Sequence, residues 1–193
     1  MGDTLAAGND AVALLGNTIA TGAILYVLIT VFGPISGAHF NPAVTLAFTL
    51  RGELAPSIAL IYVATQLVAG ACGVLIAHLM FDLPIMQVST TARAGLGQLT
   101  GEFVATFGLL LTIFGCLSSA PKLVAPAVGL FITAGYWFTS STSFANPAVT
   151  VARTLSDTFA GIAPADAPGF IVTQLLAAIL AVGVFRWLFP RPD

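Results

Sequence analysis

The sequence predicts an all-α membrane protein built as an inverted repeat, with five full spans and two re-entrant half-helices. Three observations predict this fold: an apolar composition, five long apolar segments and a pentapeptide that occurs twice. The 193 residues are 58% hydrophobic and 7% charged, with a mean hydropathy of +0.99. Because soluble domains carry about 25% charged residues, this chain cannot present an ordinary water-facing surface.

The charge and the reactive side chains exclude several classes of protein. A net charge of −2 gives no indication of nucleic acid binding. Cys72 and Cys116 both fall inside apolar segments, where we expect small buried hydrophobes rather than a disulfide. We find no Cys/His cluster at metal-ligand spacing and no Ser/His or carboxylate pair placed for chemistry. We therefore expect no cofactor, no metal and no enzymatic activity.

Five apolar segments are long enough to cross a bilayer. They span residues 11–33, 56–81, 97–118, 122–140 and 168–189. A helix of about 20 residues crosses about 30 Å of hydrocarbon. Two shorter apolar pieces lie between them, at 41–50 and 146–155. Ten helical residues cover only about 15 Å, so we expect half-helices that enter from opposite faces.

Each half-helix begins with the same pentapeptide, Asn-Pro-Ala-Val-Thr. It occupies residues 41–45 and again 146–150. Asn is a favourable N-cap, and Pro at the first helical position loses no needed N–H. The positive end of each helix would then point at the membrane centre. Polar residues at that depth are costly unless they line a polar path, so the motif indicates a channel.

The duplication extends beyond the pentapeptide. Ser36 and Ser141 each stand five residues before the Asn, and Thr65-Gln66-Leu67 recurs as Thr173-Gln174-Leu175. We therefore divide a single channel domain, 1–193, into an incomplete first repeat at 1–81 and a second repeat at 97–189. The first repeat lacks a partner for segment 97–118. Inverted repeats of this kind are known in transporters and channels.

The basic residues predict the orientation of the chain. Four of them lie on one side of the five-span arrangement, and two lie on the other. The first group is Arg51, Lys122, Arg186 and Arg191, and the second is Arg93 and Arg153. Since basic residues favour the cytoplasmic side, the N-terminus is predicted to lie outside.

On these motifs the chain resembles the aquaporin family (major intrinsic proteins). The resemblance is carried by Ser36-Gly37-Ala38-His39-Phe40-Asn41-Pro42-Ala43-Val44-Thr45, by Ser143-Phe144-Ala145-Asn146-Pro147-Ala148 and by Glu102 within Gly101-Glu102-Phe103-Val104-Ala105-Thr106-Phe107. It implies a passive channel for water and small neutral solutes. It also implies a homotetramer that is embedded in the lipid of the inner (plasma) membrane.

The chain departs from the family pattern at its start. The family has six spans, and Met1 falls where the loop after the first span would be. Two interpretations stay open: a start codon assigned too far downstream or a fragment, and a true five-span protein. A truncated, non-conducting protein is therefore an alternative function. A coupled secondary transporter is another, although no intramembrane acidic pair beyond Glu102 is available to hold an ion.

The second departure concerns the selectivity filter. The family usually has Arg three residues after the second Asn, where this chain has Val149. By spacing, the resemblance assigns Thr21 and Ser143 to the filter, with either Gly135 or Tyr136 in the fourth position; we predict Tyr136. A filter of Thr21, Ser143 and Val149 has small side chains and lacks the bulky ring and guanidinium of a strict water pore, so it should be wider and less cationic. It resembles that of bacterial members linked to arsenic resistance, which pass glycerol-like polyols and undissociated metalloid acids such as arsenite.

Further residues have predicted roles within this arrangement. Backbone carbonyls of Gly37, Ala38 and His39 would line the inner half of the pore, and those of Ser141, Thr142 and Ser143 the outer half. The amides of Asn41 and Asn146 would donate at the centre.

The remaining polar residues have predicted roles in structure. Glu102 would accept backbone N–H groups before Asn146, and Gln66 and Gln174 would buttress the half-helices through backbone hydrogen bonds. We expect Arg153 to cap or snorkel rather than to form a positive vestibule. We also expect His78 to be interfacial, and Asp157 and Asp166 to be solvated.

Overall fold

A computed structural model of the protein describes residues 1–189, and all regular secondary structure in that range is helical. The elements are α1 (Gly2–Leu5), α2 (Asp10–Ser36), α3 (Pro42–Leu50), α4 (Pro56–Met80), α5 (Leu96–Ser119), a 3₁₀ turn (Pro121–Leu123), α6 (Val124–Phe138), α7 (Pro147–Arg153) and α8 (Ala167–Leu188). Arg191, which was counted among the basic residues of the inner side, lies outside the described residues.

Four helices within residues 1–189 are long and apolar enough to cross a membrane: α2, α4, α5 and α8. The prediction of five full spans is not confirmed. The segment predicted at 122–140 forms α6, which has 15 residues and rises only about 22 Å. Pro121 opens a 3₁₀ turn before it, and extended backbone at Thr139 ends it.

The two short helices, α3 and α7, both begin at an Asn-Pro pair. Each Asn has extended backbone, and its side-chain oxygen accepts a backbone N–H of the first turn, as an N-cap does. Helix α3 has nine residues and α7 has seven, so both are too short to cross a bilayer. Helix α7 ends at Arg153, two residues before the predicted end. Their re-entrant insertion from opposite faces stays a prediction.

Helices α2 and α6 cross closely at two glycines. A Cβ on Gly22 would lie 2.8 Å from the Gly129 carbonyl oxygen, and it would collide with the Thr133 hydroxyl. A Cβ on Gly129 would lie 2.7 Å from the Gly22 carbonyl oxygen. Small residues allow helix backbones to approach in this way, and the crossing fixes α2 against α6 beside the cavity described below.

The half-helices pack reciprocally. Helix α3 packs on α8 and α4, and α7 packs on α4 and α8. Each half-helix therefore contacts the long helix that follows it and its counterpart in the other repeat. Helix α5 packs on both α8 and α6. Among residues 1–189, no element packs on both α4 and α2. As a result, α4 is the most exposed long helix, and His78 is its single buried residue.

Candidate functional site

The side-chain amides of Asn41 and Asn146 join the starts of the two half-helices. Asn41 Nδ2 donates to the carbonyl oxygen of Ala145 at 2.7 Å. Asn146 Nδ2 donates to the carbonyl oxygen of Phe40 at 2.9 Å. The oxygen of each amide accepts from its own helix. Each NH₂ group carries two donors, so one donor on each Asn has no acceptor among residues 1–189.

The backbone before each Asn adopts left-handed conformations at matched positions. Three residues in each copy have φ between +47° and +74°. They are Gly37, Ala38 and Phe40 in the first copy, and Thr142, Ser143 and Ala145 in the second. Left-handed backbone costs non-glycine residues about 1–3 kcal/mol each and persists only where the surroundings enforce it. It breaks any regular hydrogen-bonding pattern, and so leaves carbonyl groups free to line a path.

Glu102 on α5 holds the segment before Asn146. Its two carboxylate oxygens accept the backbone N–H groups of Phe144 and Ala145, both at 2.8 Å. Gln174 Nε2 donates to the same carboxylate. Glu102 and Gln174 are both fully buried, and buried polar groups are stable only when hydrogen-bonded. The cluster therefore fixes the backbone that leads into α7.

The predicted backbone hydrogen bonds of the two glutamines are wrong. Gln66 Nε2 donates to the Thr45 hydroxyl at 3.0 Å, and Gln174 Nε2 donates to the Thr150 hydroxyl at 3.0 Å. Each threonine hydroxyl lies between the glutamine and the backbone, because it donates in turn to the carbonyl oxygen of Asn41 or Asn146. Gln174 reaches Glu102 as well, whereas Gln66 Oε1 is buried and has no partner among residues 1–189.

A cavity of about 730 Å³ runs past both asparagines. Its lining extends from Lys122, at the face that we call inner, to Arg153, at the face that we call outer. Most of the intervening wall is apolar. The apolar lining includes Ile24, Leu25, Ile29, Val44, Phe48, Leu109, Ile113, Val128 and Ile132.

The structure brings the four predicted filter residues to this cavity. Thr21 on α2, Tyr136 on α6, Ser143 before α7 and Val149 on α7 all line it, and Gly135 does not. Gly37, Ala38 and His39 also line it. Their predicted roles in selection and conduction stay predictions.

Two predicted pore carbonyls lie elsewhere. Ser141 and Thr142 are not part of the cavity lining. Ser141 is fully buried, and its carbonyl oxygen accepts a hydrogen bond from Arg93 Nη1 at 3.5 Å. The geometry therefore gives no support to a solute contact at either residue.

We expected Arg153 to cap the helix or to snorkel, but its side chain does neither and points into the protein. Its Nη2 donates to the Tyr136 hydroxyl at 3.1 Å, and its guanidinium carbon lies 4.1 Å from the centroid of the Phe144 ring. Arg153 lines the cavity. The reason is that side chains of a helix point back toward its N-terminus, which directs this one inward from the last residue of α7.

The sequence analysis gave Arg93 no role beyond its side of the membrane. It lies in the loop between α4 and α5 and donates to the carbonyl oxygens of Gly161 (2.7 Å) and Phe159 (3.0 Å). Burial and the neighbouring Arg153 lower its pKa to about 10, against the opposing effect of Glu102. Arg93 therefore stays charged at neutral pH. No motif surrounds it, so only the tertiary structure could reveal this role.

The loop 81–95 is fastened to the loop 154–166 at the outer face. Asp157 accepts the backbone N–H and the hydroxyl of Thr90, and Asp166 accepts the backbone N–H of Arg93. These bonds contradict the prediction that both aspartates are merely solvated. His78 was predicted to be interfacial, but it is 2% exposed and contacts Ile85 and Ser156, one in each loop.

Comparison with known proteins supplies the identity that the geometry leaves open. A sequence model of the family described as "Major intrinsic protein" matches residues 3–123. The chain is 52% identical over 188 residues to "Aquaglyceroporin AqpS" of Rhizobium meliloti (strain 1021), covering 97% of this chain and 80% of that protein.

More distant aquaporins also match. The chain is 32% identical over 124 residues to "Probable aquaporin TIP4-1" of Oryza sativa subsp. japonica, covering 63% of this chain and 49% of that protein. It is 26% identical over 189 residues to "Aquaporin-4" of Homo sapiens, covering 89% and 55%. The chain thus spans about half the length of these two relatives. It belongs to the major intrinsic protein family, whose members are membrane channels for water and small solutes and not enzymes.

Proposed function

We propose that this protein is a passive channel for water and small neutral solutes of the glycerol type, including undissociated metalloid acids such as arsenite. The observation that carries the proposal is the cavity of about 730 Å³ that passes both asparagines and whose lining runs from Lys122 to Arg153. The 52% identity to a protein named an aquaglyceroporin supports the polyol class.

Conduction requires that a solute exchange its hydration for weak contacts along one wall. The carbonyl oxygens of Gly37, Ala38 and His39 accept hydrogen bonds from its hydroxyl groups. The free amide donors of Asn41 and Asn146 serve its oxygens at the centre. The apolar wall opposite accommodates the CH groups of a polyol and offers no competing hydrogen bond to water.

Cations are opposed at the centre. The N-termini of α3 and α7 meet there, and each carries about half a positive charge. A cation would also lose hydration in a largely apolar cavity, which is costly. Neutral solutes experience neither penalty, so the channel excludes cations and passes uncharged solutes.

The filter favours solutes larger than water. Val149 is apolar and small, and Thr21 and Ser143 are compact. The resulting filter is wider than one that combines a bulky aromatic side chain with a guanidinium at position 149. We place the channel as a homotetramer in the lipid of the inner (plasma) membrane, where a neutral metalloid acid could leave the cell and contribute to arsenic resistance.

Stopped-flow light scattering on liposomes tests the proposal. Vesicles that contain the protein are exposed to an osmotic step of sucrose and then of glycerol, at several temperatures. A channel gives fast glycerol entry with weak temperature dependence, whereas a coupled carrier gives a steep one. Flux no greater than that of empty vesicles would show that the protein does not conduct.

A matched pair of variants ties the flux to the cavity. Val128→Trp places a large ring in the lining, and Leu130→Trp places the same ring on the exposed side of α6, where Leu130 is 70% exposed. We expect Val128→Trp to abolish glycerol entry and Leu130→Trp to retain it. Equal flux in the two variants would contradict a path through this cavity.

A further inference from the structure

The side chain of Arg153 returns along α7 toward the start of that helix. Its guanidinium carbon lies 4.1 Å from the centroid of Phe144, a residue that precedes Asn146. The charged group is therefore level with the segment that enters α7, although the backbone of Arg153 ends the helix. This direction agrees with the general tilt of helical side chains toward the N-terminus.

Hydrogen bonds fix the guanidinium in this position. Arg153 Nη2 donates to the Tyr136 hydroxyl at 3.1 Å, and the Tyr136 hydroxyl lies 3.5 Å from Thr21 Oγ1. These three polar groups cross one end of the cavity, from α2 through α6 to α7. All three residues belong to the cavity lining.

Arg153 also keeps donors that it does not use. A guanidinium has five N–H donors, and within residues 1–189 the Tyr136 hydroxyl is the one acceptor found for this side chain. In the same range its guanidinium has no carboxylate within ion-pair distance. Arg93 differs, because its guanidinium is occupied by the carbonyl groups of Ser141, Phe159 and Gly161. Arg93 therefore holds loop carbonyl groups together, whereas Arg153 presents free donors to the cavity.

We propose that Arg153, held by Tyr136 and stacked on Phe144, is a specificity-determining residue that closes the outer end of the filter. It supplies, from one turn farther along α7, the bulk and the N–H donors that Val149 cannot supply. The solutes that it admits are water and short polyols, and the solutes that it rejects are longer polyols such as xylitol. This inference rests on the proposed channel function.

Three variants test the proposal: Arg153→Ala, Tyr136→Phe and the double variant. The readout is the ratio of xylitol to glycerol entry into liposomes. Because one group too many in a tight pocket costs a solute about 10–200-fold, we expect Arg153→Ala, which enlarges the filter, to raise this ratio about tenfold. Tyr136→Phe removes only the anchoring hydroxyl, so it should raise the ratio less. The double variant should match Arg153→Ala, since the two residues act together.

Arg186→Ala is the matched control. It removes the same side chain at the inner face, where Arg186 is exposed and donates to the Leu50 carbonyl. Its xylitol-to-glycerol ratio should equal that of the wild type. If Arg153 only supports the fold by stacking on Phe144, Arg153→Ala will lower all fluxes together without changing the ratio, and the proposal is then wrong.

The outcomes separate this inference from the proposed function. A wild-type protein that passes glycerol, with an Arg153→Ala ratio within about twofold of it, overturns the inference and leaves the channel in place. A wild-type protein that passes no glycerol overturns the channel, and the inference fails with it. If Arg153→Ala does not fold, Arg153→Ser removes both the bulk and the guanidinium donors but keeps a polar side chain; an unchanged ratio in that variant contradicts the proposal.

Discussion

At the scale of single residues, Glu102 is the side chain on which the geometry of the second half-helix depends. It accepts three donors, from Phe144, Ala145 and Gln174. Glu102→Gln would place an NH₂ group against at least one of them. We expect a loss of about 2 kcal/mol in the free energy of unfolding, measured by thermal denaturation in detergent. Asp10→Asn, at an exposed position of α2, is the control and should have little effect; equal losses in both variants would contradict this role.

Val149 determines the width of the filter in our proposal. Val149→Arg adds a long cationic side chain beside Arg153, one turn away on the same helix face. We expect glycerol entry to fall about tenfold more than water entry, measured on the same vesicles. Val149→Met separates bulk from charge, because it lengthens the side chain and leaves it neutral. An unchanged glycerol-to-water ratio in Val149→Arg would remove Val149 from the filter.

At the scale of elements, the crossing of α2 and α6 depends on the absence of a side chain at Gly22. A methyl group there would meet the Gly129 carbonyl at 2.8 Å, so the two helices would have to separate. We expect Gly22→Ala to cost about 1–3 kcal/mol in stability, measured by thermal denaturation in detergent. Gly115→Ala is the control, because a Cβ at Gly115 meets nothing within 4 Å. A stable Gly22→Ala protein would show that the crossing can adjust.

Much of the element pattern could be predicted from the sequence. Helices that begin at Asn41-Pro42 and Asn146-Pro147 follow from local capping chemistry, and long apolar runs indicate the long helices. The full span at 122–140 could not be judged in this way, because hydropathy does not show where a 3₁₀ turn or an extended residue shortens a helix. The contacts of Gln66 and Gln174 were also missed, since the sequence does not show whether a side-chain amide donates to a backbone carbonyl or to a hydroxyl.

The outer mouth was the part least accessible to prediction. Arg93, Asp157 and Asp166 lie in loops without motif or periodicity, and their hydrogen-bond partners are distant in the sequence. The position of Arg153 is different, because it lies four residues after Val149 and therefore on the same helix face. We preferred the capping role because a helix end offers free carbonyls; the hydroxyl of Tyr136 on another helix provides a better acceptor.

At the scale of the whole molecule, the loops 81–95 and 154–166 are joined to each other at the outer face. Hydrogen bonds from the Thr90 backbone N–H and hydroxyl lower the pKa of Asp157 below its ordinary value of 3.8. The stabilisation is therefore complete above pH 3.8 and is lost as the pH falls through the lower native pKa.

We expect the joined loops to open in this acid range, which acid-active protease digestion at stepped pH would detect as cleavage within 81–95. Asp157→Asn should show the same cleavage at pH 5 as at the lowest pH of the series, because it has no carboxyl group to titrate. Wild-type cleavage that stays constant across the whole acid series would show that other contacts hold the loops.

The exchanged bonds between Asn41 and Ala145, and between Asn146 and Phe40, also constrain the order of biogenesis. The residues of the first pair are separated by 104 positions, so Asn41 leaves the ribosome long before its partner exists. In the predicted re-entrant arrangement, the first half-helix waits in the membrane with its amide unpaired, or delays its insertion until the second repeat has been synthesised. The bonds between the two half-helices therefore form only after the second repeat has been translated. A chain interrupted between the repeats would expose the unpaired amide of Asn41 to cellular quality control.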